Sequence, residues 1–202
     1  ETKHRGIGKT LENLIVAIRQ IDSDNTYIYY LDALEPVPDI LKKLQKNEQV
    51  KVVTSQKIRR ARYFRSVLRS FKPFKPDAKD VDVFLQPDAS LGIPTTVPTT
   101  VIFYDLIPLL FRKQEQARAK KSLQKNKSMV ANEVYWTKYK KDLRQYKKAA
   151  AILSISNASK NDLIKHMPEI DAAKVGVMHL GVNTANTNKT SSEVSKYQPY
   201  IL

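Results

Sequence analysis

The sequence predicts an α/β domain built on a parallel β-sheet with helices on both faces. Three observations carry that expectation. Short β-branched and aromatic runs, TYIYYL, VDVFL, TTVIF and AAILSI, alternate with helical segments, the pattern of βαβ units. The segment Thr99–Phe111, TTVIFYDLIPLLF, climbs through an apolar run to a polar pair, Tyr104-Asp105, and then turns at Leu-Ile-Pro. A buried parallel strand reads this way when it delivers a carboxylate to the carboxyl edge of a sheet, where ligands of open α/β sheets bind. Finally, 202 residues with 42% hydrophobic and 27% charged side chains are enough for one domain with a real core.

Taken in order, a helix is expected from Thr10 to Ile21, where Leu11, Leu14, Ile15 and Ile18 share a face. Thr26 to Leu31 reads as a strand. Pro36 and Pro38 bracket the opening of a short helix to about Lys46. Val50 to Val53 is a short strand, and Lys57 to Ser70 is helical until Pro73 and Pro76 end it. Val81 to Leu85 is a strand, Gly92 to Pro98 a loop, and Thr99 to Phe103 the central strand. Arg112 to Lys127 is polar and Lys-rich with a weak apolar stripe, as in a mobile or solvent-facing segment. Met129 to Lys148 is a helix whose Val130, Val134, Trp136, Tyr139, Leu143 and Tyr146 form an apolar-aromatic seam. Ala150 to Ile155 is a strand. Ser159 to Met167 is a helix with Ser159 and Asp162 as a capping box, and Val175 to Met178 is another strand. Thr184 to Ser195, rich in Asn, Thr and Ser, reads as an exposed linker.

Composition narrows the chemistry. There is no cysteine, which excludes disulfides, thiolate catalysis and Cys-ligated zinc and fits a reducing compartment. No apolar run approaches the roughly 18 residues of a transmembrane helix. His4, His166 and His179 lack metal-ligand spacing, and no nucleophile elbow is present. The formal charge of +15, from 35 Lys and Arg against 20 Asp and Glu, suggests a polyanionic partner or a solubilising basic face. The chain opens on a glycine loop with no strand before it, and it closes on Pro-Tyr-Ile-Leu, like the start of a further strand. The expectation is one domain over residues 1–183 whose first strand is missing, followed by a polar linker at 184–202.

Gly6-Ile7-Gly8, with Lys9, sits ahead of the Thr10 helix. Glycines let a ligand approach the backbone, and a helix N-terminus attracts anions; a plain tight turn is the alternative. Asp105 can accept hydrogen bonds from ligand hydroxyls or act as a base, or it can merely cap the Leu106-Ile107-Pro108 turn. Gln86, Pro87 and Asp88 end one neighbouring strand; Ser154, Ser156 and Asn157 follow the other. Ser156 either touches ligand or caps the chain. Lys57 to Lys75 holds eight basic residues and no acidic one. Ile58, Ala61, Phe64, Leu68 and Phe71 recur there at helical spacing. Arg59, Arg62, Tyr63, Arg65, Arg69 and Phe71 are candidates for contact with an anionic membrane surface; packing of the stripe on the sheet is the alternative.

Several motifs together resemble the N-terminal domain of a retaining glycosyltransferase of the GT-B fold, of the large family 4 type. Gly6-Ile7-Gly8-Lys9-Thr10 is similar to that family's glycine loop, and Tyr104-Asp105-Leu106-Ile107-Pro108 stands where it carries an HDLIP-like segment. Ser156, Ser159, Asp162 and Leu163 match its serine motif, and Leu180-Gly181-Val182-Asn183 its last turn. The resemblance implies a Rossmann-like domain, the N-terminal and acceptor-side half of the fold, with the donor-binding C-terminal domain absent. It implies transfer of a hexosyl group from a UDP- or GDP-sugar to a saccharide or lipid-linked acceptor with retention, in polysaccharide or cell-envelope assembly. The fragment alone is expected to be inactive. Asp105 and Tyr104 take the catalytic positions, Tyr104 standing where the family usually has histidine. Gly6, Ile7 and Gly8 lie near the donor diphosphate or transferred sugar. No cofactor or essential metal is implied. The setting is cytoplasmic, at the inner face of the cell membrane.

Two other readings stand beside this one. A basic α/β domain can bind nucleic acid or another anionic ligand without catalysis, although no RNP, KH, zinc-finger or basic-zipper pattern appears and no specific nucleic acid is expected. A flavodoxin-like or periplasmic-type binding module uses the same sheet edge.

Overall fold

A computed structural model describes residues 6–32, 36–53, 78–91, 93, 96–112, 114 and 128–181. The expected helix from Lys57 to Ser70, nearly all of the Lys-rich stretch after Arg112 and the linker from Thr184 lie outside the described residues.

Helix α1 spans Gly6–Ile21 and starts earlier than its sequence suggests. Gly6-Ile7-Gly8-Lys9 forms its first turn rather than a loop ahead of it. Ile7 extends the stripe of Leu11, Leu14, Ile15 and Ile18 at helical spacing, and the Thr10 hydroxyl donates to the Gly6 carbonyl at 2.8 Å. These gains outweigh the roughly 1 kcal/mol that each helical glycine costs.

Strands β1 (Tyr27–Asp32) and β2 (Glu48–Val53) pair in parallel, Tyr27 opposite Glu48 and Asp32 opposite Val53. Between them the expected helix to Lys46 is replaced by one 3₁₀ turn, Asp39–Leu41. The cause is local. The Gln45 amide donates to the Glu48 carboxylate at 2.8 Å rather than to a helical carbonyl. That carboxylate is buried. Arg19, in the last turn of α1, grips both its oxygens at 2.7 Å, and the Tyr29 hydroxyl donates to it at 2.9 Å. The cluster ties the end of α1 to the amino ends of β1 and β2.

A second sheet holds β3 (Phe84–Gln86), β4 (Thr99–Phe103), β5 (Ala151–Ser154) and β6 (Val175–Val177), all parallel and in that order. The expected strand Val81 to Leu85 is thus shorter and shifted toward Gln86. Helix α2 is a single turn, Ile107–Leu110. Helix α3, Ser128–Gln145, continues into a 3₁₀ turn at Tyr146–Lys148, and α4 spans Asn157–His166. The architecture is a small α/β domain of parallel sheets flanked by helices, consistent with a generic Rossmann-like topology.

The core gathers where the sequence is most continuously apolar. Val101, Phe103, Leu106, Leu143, Tyr146, Ile152, Leu163, Met167 and Val175 are all buried in one cluster. Phe103 meets the Tyr146 ring edge-on, centroids 5.3 Å apart, a favoured aromatic geometry. The Tyr146 hydroxyl reaches the Ile102 carbonyl at 3.3 Å.

The capping of α4 differs from expectation. Ser156, not Ser159, is the N-cap; its hydroxyl oxygen accepts from the Ser159 amide at 3.0 Å and donates to the Ser159 hydroxyl at 3.0 Å. The helix therefore starts one turn before the Ser159-Asp162 pair. Ser156→Ala is expected to destabilise the domain by about 1 kcal/mol and Ser156→Asp to restore most of that, read from urea unfolding midpoints. An unaffected midpoint in the alanine variant would contradict the cap.

Candidate functional site

Parallel pairing fixes which residues share an edge. Gln86 stands opposite Val101, and Phe103 opposite Ser154. The chain therefore leaves β3, β4 and β5 on the same side of the sheet, through Pro87-Asp88, Tyr104-Asp105 and Ile155-Ser156. Three of the expected site segments meet on one rim.

The side chains there divide into two kinds. Gln86 is buried, and its amide donates to the Asp88 carbonyl at 3.2 Å, so it shapes the rim rather than facing outward. Asp88 accepts from the Ser90 amide at 2.6 Å and Asp105 from the Ile107 amide at 2.9 Å. Both aspartates thus hold Asx-type turns. The capping alternative for Asp105 is realised at one of its oxygens, and the residue is exposed. Ser156 is committed to capping α4, and Asn157 is exposed in that helix's first turn. The Ser154 hydroxyl is buried and donates to the Ser156 carbonyl at 3.0 Å.

Tyr104 leans inward from the rim. Its hydroxyl is buried without a hydrogen-bond partner among the described residues. Burial first, and the charge of Asp88 second, push its pKa up to about 12. It therefore stays protonated at neutral pH.

Helix α3 packs its expected seam inward, with Trp136 buried and Tyr139 against the core, while Tyr135, which lies off that seam, is exposed. Tyr135 and Tyr139 stack with an 11° interplanar angle, and Trp136 meets both edge-on. The Arg112 guanidinium lies 5.0 Å from the centre of the Trp136 ring, a cation–π distance. Burial raises the pKa of Tyr139, helped by the charges of Tyr135, Asp105 and Asp88. Burial also raises that of Asp142, against the opposing ion pair with Lys138. Asp88, Tyr104, Asp105, Tyr139 and Asp142 thus form one electrostatic neighbourhood.

The glycine segment is not joined to this rim by any described contact. Lys9 pairs with Glu12 at 3.4 Å. A Cβ placed on Gly6 would meet open space, so protein packing does not require glycine there. Arg59, Arg62, Tyr63, Arg65, Arg69 and Phe71 lie outside the described residues. Among the described residues no group of His, Cys, Asp or Glu is arranged to hold a metal ion. No helix among them is long and apolar enough to cross a membrane.

No protein-family model matches the chain, and no curated protein matches it significantly.

Proposed function

We propose that this chain is the acceptor-side, N-terminal half of a GT-B retaining glycosyltransferase that moves a hexosyl group from a UDP- or GDP-sugar to a saccharide or lipid-linked acceptor. The observation that carries the reading is the rim itself: Asp88, Tyr104 and Asp105 at the carboxyl edge of parallel strands, with the exposed Tyr135 stacked on Tyr139 in the same electrostatic neighbourhood. Carboxylates accept hydrogen bonds from sugar hydroxyls, and aromatic faces take the apolar faces of sugar rings. The ordered motifs from Gly6 to Asn183 support the same reading. In this role Asp105 positions or deprotonates the acceptor hydroxyl, Tyr104 supplies a neutral hydrogen bond, and the basic chain favours an anionic lipid surface at the cytoplasmic face of a membrane.

Asp105→Asn separates chemistry from structure. The amide oxygen still accepts from the Ile107 amide, so the unfolding midpoint is expected to stay within about 0.5 kcal/mol of the parent. In the protein that carries this domain, kcat/KM for hexosyl transfer is expected to fall by about 100-fold. An unchanged kcat/KM removes Asp105 from the site. The competing reading, a basic binding domain, rests on the +15 charge. Failure to release nucleoside diphosphate from any UDP- or GDP-hexose, with nucleic-acid binding that survives physiological salt, would favour it.

A further inference from the structure

Four buried side-chain atoms find no hydrogen-bond partner among the described residues: the Tyr104 hydroxyl, Arg112 Nε, Trp136 Nε1 and the Tyr139 hydroxyl. Protein interiors leave few polar atoms in this state, and these are not scattered. All belong to the chain leaving β4 or to α3. The Arg112 guanidinium lies 5.0 Å from the centre of the Trp136 ring, and the Trp136 and Tyr139 rings meet edge-on with centroids 5.7 Å apart. Tyr104 and Tyr139 both lie in the field of Asp88.

Their chemistry is one-sided. Guanidinium and indole nitrogens only donate, whereas tyrosine hydroxyls donate or accept. Arg112 Nε and Trp136 Nε1 therefore need an acceptor that the described residues do not bring. Trp136 is 3% exposed, so bulk water does not serve its N–H. The Leu109 backbone lies near the Tyr139 hydroxyl without satisfying it.

Charge is unbalanced as well. Lys138 pairs with Asp142 and Lys147 with Glu169, but no ion pair among the described residues includes Arg112. A half-buried cation without a carboxylate favours an anion. Asp88 and Asp105 place negative charge near Tyr139, so the anion is favoured at the Arg112 end of the cluster. A lone water would accept both bonds and leave the guanidinium uncompensated. The oxygens of an oxyanion accept both, and its charge balances the cation. The exposed Tyr135 ring meets that of Trp136 edge-on at 5.5 Å, which gives the cluster a wall open to solvent.

We propose that Arg112 and Trp136, with the Tyr139 hydroxyl beside them, hold one oxyanion, the phosphate or carboxylate group of a small ligand. The site does not depend on the glycosyl-transfer reading.

The chain has a single tryptophan, so its indole N–H gives one resonance in a proton–nitrogen correlation spectrum and reports on the site directly. The intact chain is titrated with inorganic phosphate and, separately, with acetate, while sodium chloride holds the ionic strength constant. A saturable downfield shift of the indole proton is expected, and the anion that saturates it at the lower concentration tells phosphate from carboxylate. Arg112→Gln is expected to raise the apparent dissociation constant by at least about tenfold. Arg112→Lys keeps the charge but not the planar fork, and its affinity should fall between the two. Lys147→Gln, beyond the end of α3, should bind as the parent does. An indole resonance unmoved by either anion, or one that shifts without saturating, would overturn the proposal. So would equal weakening by Lys147→Gln, or parental affinity in Arg112→Gln. If Arg112→Gln fails to fold, Arg112→Lys decides, and parental affinity there overturns the proposal.

Discussion

Arg19→Leu is expected to cost about 3–5 kcal/mol of folding stability at pH 7, because it leaves the Glu48 carboxylate buried without its partner. Arg19 holds both carboxylate oxygens, and the Gln45 amide and Tyr29 hydroxyl complete the shell. The hydrogen bond from Arg19 is the largest reason that Glu48 has its pKa lowered from an ordinary 4.5 to about 2. A folded-state value below the unfolded one stabilises the fold above the unfolded pKa, and that contribution disappears as pH falls through the folded value. The gap in stability between parent and Arg19→Leu should therefore narrow between about pH 4.5 and pH 2. Replacing both Arg19 and Glu48 by leucine should recover much of the loss, since an apolar pair requires no desolvation of charge. Urea unfolding of the three proteins across that range decides the matter. A parent-to-variant gap that stays constant with pH would refute the account.

Phe103→Ala is expected to cost about 3–5 kcal/mol, the range for removing a fully buried aromatic ring. Phe103 is 1% exposed at the end of β4, against the edge of Tyr146. The loss should lie in the transfer of the ring and the cavity it leaves, with the far-ultraviolet spectrum unchanged at 10 °C. Tyr146→Phe keeps the ring pair and loses the hydroxyl with its long bond to the Ile102 carbonyl and its bond to the Ala89 backbone, so its cost should be about 1–2 kcal/mol. Equal losses in the two variants would show that the hydroxyl, not the ring packing, dominates this part of the core.

The strands were legible because their side chains carry the signal. Thr99–Phe103 and Ala151–Ser154 are short β-branched and apolar runs between turn residues, and their ends fell within one residue of expectation. The misplaced elements are those decided by a single hydrogen bond. The Gln45 amide turns to Glu48 and stops a helix; Ser156 captures the Ser159 amide and starts one early. Neither choice leaves a periodic trace. The rim at Tyr104-Asp105 could be placed because a polar pair ending a buried strand is rare. The exposed Tyr135 could not be placed, since it lies off the apolar seam, whereas Trp136 and Tyr139 pack inward as that seam expects. The division into two hydrogen-bonded sheets was also invisible, because pairing partners are set by chain path and not by local pattern.

The turn bonds at Asp88 and Asp105 have a thermodynamic consequence. Each carboxylate is already fastened through one oxygen to a backbone amide two residues on, so its χ1 rotamer is set in the free protein. An incoming hydroxyl that bonds to the other oxygen meets an acceptor whose torsional freedom was surrendered during folding. In the proposed acceptor role, association would forfeit less side-chain entropy, and the rim would act as a rigid template rather than one moulded by its guest.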